Sequence, residues 1–264
     1  MKINFLIKCL SITLFVSVLS NLVRAQDVYN IITDRPDLTE SAVSVPFRFL
    51  QIETGFQYRN SSFEENSVKI ENNEFTLAST LFRYGLTDNM ELRFGGEYFT
   101  GKSKIGGIEN TQNGIQGISL GSKFMLIDGS GFLNNVALLI ELGLPVGNKN
   151  LNPDKIEPAL IIAASKDFSD NVGLTTNVGI ENSTSVNTFF YSASLDVSLL
   201  VNLGMYFEYF GDSSNKQIPN NNFDFGFYFL QQKNIQLDLY GGTKIFSDQT
   251  NWFGGFGISL RFPE

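Results

Sequence analysis

The run Phe223-Asp224-Phe225-Gly226-Phe227-Tyr228-Phe229, then Gln232-Lys233, then Ile235-Gln236-Leu237-Asp238-Leu239, decides how this chain folds. Phenylalanine fills every second position of the first stretch, and aliphatic residues do so in the last. A period of two puts those side chains on one face of a β-strand, with Asp224, Gly226, Gln236 and Asp238 on the other. The short polar break between the stretches reads as a hairpin turn. The same alternation recurs in 50–58, 90–99, 136–144 and 172–181. Twelve such segments follow: 47–58, 73–84, 90–99, 115–126, 135–144, 157–167, 172–181, 188–198, 202–210, 223–231, 234–241 and 252–262. Parity fails in two of them, because Glu74 and Arg83, like Glu157 and Lys166, fall on opposite faces.

The connections add a second pattern. Polar, Asn/Gly/Ser-rich stretches such as 59–72, 100–114 and 211–222 alternate with short turns such as Thr87-Asp88-Asn89 and Ser169-Asp170-Asn171. Long loops on one side and short turns on the other describe an outer-membrane barrel, and an even strand count places both termini on the periplasmic side. The fold expected is all-β: a single antiparallel transmembrane β-barrel of about 12 strands over 47–262, with short periplasmic turns and long extracellular loops. A soluble secreted β-sandwich would alternate too, but has no reason for strict long-short connections. Strands of about 10 residues suit a tilted span. Aromatics near segment ends, among them Tyr58, Tyr84, Tyr98, Tyr209 and Trp252, suit interfacial girdles. Ile258, Leu260 and Phe262 form a terminal alternating strand of the kind barrel assembly machinery reads, although Pro263 and Glu264 follow it.

Residues 1–25 read as a signal peptide: Lys2 and Lys8 precede an apolar run ending in Val23-Arg24-Ala25, with cleavage expected after Ala25. Cys9 lacks the context of a lipoprotein site. Cleavage removes three bases and no acid, leaving 16 bases against 27 acids, a net charge of −11.

Composition excludes several functions. The 264 residues include no histidine and one cysteine, so His-based triads, His metal ligands, disulfide frameworks and cysteine metal clusters all fall away. The net charge of −8 argues against a nucleic-acid partner. Asp128-Gly129-Ser130-Gly131 lacks the ligand series of a calcium loop. The expectation is a protein that is not an enzyme and has no catalytic residues, cofactor or metal. Its expected partners are outer-membrane lipid, the assembly machinery and a small solute. The polar strand faces supply the candidate lumen-lining residues: Glu53, Glu91, Arg93, Glu97, Lys123, Glu141, Glu181, Glu208, Asp224, Asp238 and Arg261. They predict either an acidic lumen that favours cations or polar neutral solutes, or a charge network that fills the barrel.

Several ordered motifs point further. They are Ile32-Thr33-Asp34-Arg35-Pro36-Asp37-Leu38-Thr39-Glu40-Ser41, Gln51-Ile52-Glu53-Thr54-Gly55-Phe56, Arg83-Tyr84-Gly85-Leu86-Thr87-Asp88, Gly117-Ile118-Ser119-Leu120-Gly121, Leu144-Pro145-Val146-Gly147 and Phe207-Glu208-Tyr209-Phe210. Over most of 31–262 the chain resembles the outer-membrane transporter family named for a MetA pathway of phenol degradation, particularly its Bacteroidetes-like members. Ser119 stands where such families often carry an acid. The resemblance implies an outer-membrane barrel moving small, aromatic or hydrophobic molecules, and carries over no catalytic residue. A closed structural or adhesive barrel that binds partners through its long loops is the alternative. Before the first strand, residues 26–46 form a periplasmic segment holding Asp34, Arg35, Pro36 and Asp37. It reads as a lid, as a plug with Arg35 pairing to acids such as Glu53, or, the preferred reading, as a tail pinned to the rim.

Overall fold

The computed structural model describes residues 30–65, 67–129, 131–183, 186–214, 219–246 and 249–263. The signal peptide expected over residues 1–25 lies outside them. Twelve strands form one sheet: β1 (Phe49–Glu65), β2 (Val68–Thr87), β3 (Met90–Ile105), β4 (Ile108–Asp128), β5 (Asn135–Gly143), β6 (Glu157–Ser169), β7 (Val172–Asn182), β8 (Asn187–Leu200), β9 (Leu203–Ser214), β10 (Asn220–Gln232), β11 (Ile235–Ile245) and β12 (Thr250–Pro263). Each pairs antiparallel with its sequence neighbours. β1 closes on β12, from Phe49 opposite Pro263 to Ser62 opposite Thr250. Closure leaves no long open edge and rules out the sandwich.

The faces are inverted relative to a soluble protein. In β9, Tyr206 and Glu208 are buried while Phe207 and Tyr209 are exposed. In β10, Asp224 is buried while Phe223, Phe225, Phe227 and Phe229 are exposed. Apolar side chains outside and polar ones inside are what a hydrocarbon surrounding selects. On the outer face, Tyr58 packs on Phe75 at 4.7 Å and on Trp252 at 5.2 Å between ring centroids, where one girdle was expected.

Two sequence expectations change. The stretches 59–72 and 100–114 are not loops: they extend the β1–β2 and β3–β4 hairpins, so β2 reaches 20 residues and β4 reaches 21. Paired residues such as Asn60 opposite Asn73 and Lys102 opposite Thr111 are polar because, beyond the bilayer, a strand needs no apolar face. The parity failure in β2 is a β-bulge. The register shifts between Leu77 and Thr80, and Ala78 has φ of 51°. A bulge adds a residue to one strand, so Glu74 and Arg83 reach the same face. In β6 the mismatch is real: Lys166 points outward, and its Nζ donates to Gly131 O at 3.0 Å near the short-turn end. A long amine reaching a polar edge this way keeps its charge out of lipid.

Candidate functional site

Residues 31–46 form no strand of the sheet, yet their backbone is satisfied by inward-facing side chains. Ile31 N–H donates to Lys233 O at 2.7 Å. Asp34 N–H donates to the Glu53 carboxylate at 3.0 Å, and Leu38 N–H to Glu208 at 2.9 Å. Glu40 N–H and O pair with the Asn177 amide at 2.6 and 3.0 Å, and Val45 N–H donates to Glu91 at 2.7 Å. Gln51 Nε2 donates to Ile32 O, and Arg83 donates to Val43 O. Ala42 packs in the apolar cluster of Ala137, Leu139, Ile161 and Ala163. These partners sit on β1, β2, β3, β5, β6, β7 and β9, so the segment crosses the bore instead of tracing its rim.

Two glycines make room for it. Gly55 and Gly257 face each other across β1 and β12, and a methyl group at either would meet the Arg35 guanidinium. Their missing side chains therefore seat Arg35 and leave no free bore there. Arg35 bonds Asp238 at 3.1 Å and lies over the Tyr240 ring at 5.8 Å. Its ion-pair partner is thus Asp238, and the suggested pairing with Glu53 is not the one formed: Glu53 instead takes Arg83 at 2.9 Å.

At the β1–β4 wall a charged hub forms. The Asp34 carboxylate accepts from Lys123 at 2.9 Å and Arg93 at 2.5 Å, and forms an ion pair with Arg83 at 3.2 Å. Arg93 also grips both Glu40 oxygens at 2.7 and 2.8 Å, and Arg83 grips both oxygens of Glu91 at 2.8 and 3.0 Å. Three cations thus face four carboxylates, one more acid than base, and only Glu40 of the seven keeps partial exposure. Burial opposes ionisation of Asp34, but Arg83, Lys123 and Arg93 hold its carboxyl well below the usual carboxylate range. Asp37 shows the contrast: burial, then Glu208 and Asp196, push its carboxyl well above that range.

The remaining sequence candidates spread over the same inner surface. Glu97 accepts from Gln116 at 2.7 Å and lines a cavity of ≈ 380 Å³ with Asp224, Gln57 and Tyr240. Glu141 and Glu181 line another, of ≈ 450 Å³, whose walls include Leu144, Leu151, Ile161 and Phe190. Arg261 is buried near the termini, its guanidinium 5.7 Å from the Phe49 ring centroid. Pro36 and Asp37 separate the ≈ 380 Å³ cavity from one of ≈ 210 Å³, and both residues line each cavity. Sequence reasoning missed Arg83 as a site residue because the bulge hid its face. Asn177 and Gln236 showed the right parity, but only the fold reveals that they bond a chain segment. Among the described residues, no group of three or more His, Cys, Asp and Glu side chains is placed to hold a metal ion.

Residues 33–262 match the family described as "Putative MetA-pathway of phenol degradation". The chain belongs to this family. The match begins within the segment that crosses the bore and runs through β12, so that segment and the barrel fall within one family unit. Solved structures agree on the fold of this family member. The COG4313 outer membrane channel from Pseudomonas putida F1 aligns with TM-score 0.64 at 13% identity, covering 91% of this chain and 100% of that one. The transport unit of the autotransporter AIDA-I from Escherichia coli aligns with TM-score 0.54 at 10% identity, covering 91% and 96%. The translocator domain of autotransporter NalP from Neisseria meningitidis aligns with TM-score 0.51 at 11% identity, covering 81% and 88%. No curated protein sequence matches. The chain is an outer-membrane β-barrel.

Proposed function

We propose that this family member is a diffusion channel for small solutes, with residues 31–45 seated in its lumen as a plug. The observation that supports this most is the pair of cavities on either side of Pro36 and Asp37, inside a closed barrel with an apolar outer face. The outer membrane channel from Pseudomonas putida F1 shares this fold. The family's description suggests aromatic or hydrophobic solutes, and the apolar wall of Leu144, Leu151, Ile161 and Phe190 suits them. We read the inward residues Glu53, Glu91, Arg93 and Lys123 as the plug's seat, and Glu97, Asp224, Glu141 and Glu181 as lining. In this reading the signal peptide is cut after Ala25. The assembly machinery then inserts the barrel with its short turns in the periplasm. In this reading the protein works as a channel and not as an enzyme, and the chain has no histidine for His-based catalysis.

Conductance of the purified barrel in planar bilayers tests the proposal. Small unitary currents are expected, rising when the plug is unseated. A folded barrel that stays silent with its plug displaced would overturn the channel reading. The long polar hairpins of β1–β4 favour a second reading, a partner-binding surface. Shortening them should then abolish binding and leave permeability unchanged.

A further inference from the structure

The acids of the lumen are not evenly neutralised. Around the hub, Arg83, Arg93 and Lys123 answer Asp34, Glu40, Glu53 and Glu91. On the β8–β10 wall, Asp37 lies among the carboxyls of Glu208, Asp196 and Asp224. The nearby base on the segment, Arg35, is committed to Asp238. Tyr206 and Tyr228 are the other titratable groups facing Asp37.

The cavities run through these acids in order. Asp224 and Asp37 line the ≈ 380 Å³ cavity on one side of the segment. Asp37 and Asp196 line the ≈ 210 Å³ cavity on the other. Asp196 then lines a third cavity of ≈ 520 Å³ with Asp167 and Asp170, at the short-turn end. Asp37 is thus a shared wall of the first two spaces, with Pro36 and the Asp238-paired Arg35, and Asp196 is the shared wall of the last two. Three buried polar atoms beside this track lack a hydrogen-bond partner: Tyr206 Oη, on the wall of the ≈ 210 Å³ cavity, Asp224 Oδ1 and Ser194 Oγ. Buried groups of this kind are ordinarily satisfied, and an oxygen aimed at an acid-lined space suits a passing cation or its water.

From this arrangement we infer that Asp224, Asp37 and Asp196 form a cation track, so that the channel passes small monocations, inorganic or ammonium-headed, in preference to anions. The inference rests on the channel reading and adds its charge preference. Rings of carboxylates select cations by raising their local concentration and excluding anions. Because burial, and then its acidic neighbours Glu208 and Asp196, raise the Asp37 carboxyl, the preference should strengthen as pH rises and that group ionises.

The test is the reversal potential of the full mature chain in planar bilayers under a KCl gradient, repeated with ammonium and guanidinium chloride. The wild type should pass each cation over chloride by about tenfold or more, and more strongly at higher pH. Asp37→Asn with Asp196→Asn should cut that ratio by at least about threefold. Glu109→Gln, on the β4 extension, should leave it unchanged. Heat-modifiable migration reports that each variant is folded, and Asp37→Asn alone, which alters no strand, serves if the double variant fails to fold. A conducting barrel with equal cation and anion permeability, or an anion preference, overturns the inference and spares the channel. An unchanged ratio in folded Asp37→Asn also overturns it. A barrel silent under all conditions overturns both.

Discussion

Replacing Asp34 by Asn tests whether the charged hub holds the N-terminal segment inside the barrel. The Asp34 carboxylate is shared by Lys123 at 2.9 and 3.1 Å, Arg93 at 2.5 Å and Arg83 at 3.2 Å, and Ser41 Oγ donates to it at 2.7 Å. An amide of the same shape keeps the volume but leaves three buried cations facing one fewer anion. Breaking a buried ion pair from one side costs about 3–5 kcal/mol. At about 1.4 kcal/mol per tenfold, the ratio of seated to unseated segment should fall by about two to three and a half powers of ten. The backbone bonds from Leu38, Glu40 and Val45 to the wall survive the change, so the barrel itself should stay folded.

The assay is thiol labelling. Val45 is 2% exposed, so a cysteine there is protected while the segment is seated. With Cys9 changed to Ser, Val45→Cys is the only thiol in the chain. Labelling slower than reseating reports the unseated population. Asp34→Asn should accelerate it by about a hundredfold or more, while heat-modifiable migration persists. Acceleration below about threefold in a folded barrel would refute the claim that the Asp34 ion pairs hold the segment.

Other consequences follow from the same contacts. Arg83→Ala leaves Glu53 and Glu91 buried without their guanidinium, and should lower the unfolding temperature of the barrel; Arg83→Lys cannot keep the bidentate grip on Glu91 together with the bond to Glu53 and should rescue it only in part. Gly257→Ala should displace Arg35 from Asp238 and raise conductance or Val45→Cys labelling; no change in either would show that the guanidinium has other room. Seating should also depend on pH. Asp37 is raised on seating, so its contribution is complete below its free value near 3.8 and is lost as pH climbs through the seated value. Asp34 is lowered, so its contribution is present above 3.8 and is lost as pH falls through the depressed value. Labelling normalised to a free thiol should therefore increase from about pH 5 to about pH 9, with a smaller slope in Asp37→Asn.

All twelve strands, their order and the inverted faces were legible in the sequence, because a strand between lipid and lumen must alternate and its period of two survives in the letters. The burial of Glu53, Glu91, Arg93, Lys123, Glu208, Asp224, Asp238 and Arg261 inside the barrel follows from the same alternation. The limits of that signal were local. Beyond the bilayer, polarity stops marking a loop, so residues 59–65 and 100–105 look like loop in the sequence although they are strand. At Ala78 a bulge shifts the count by one residue, which hides Arg83 from a reading by parity. Alternation reports which face a side chain takes, and nothing about what shares that face with it. Where residues 31–46 go, that Asp34 meets Lys123 from 89 positions away and that Arg35 meets Asp238 from 203, were decided only when closure brought β1–β4 and β11 around one bore. The energies there come from desolvated charges whose partners lie far apart in the chain, and only the closed barrel determines those distances.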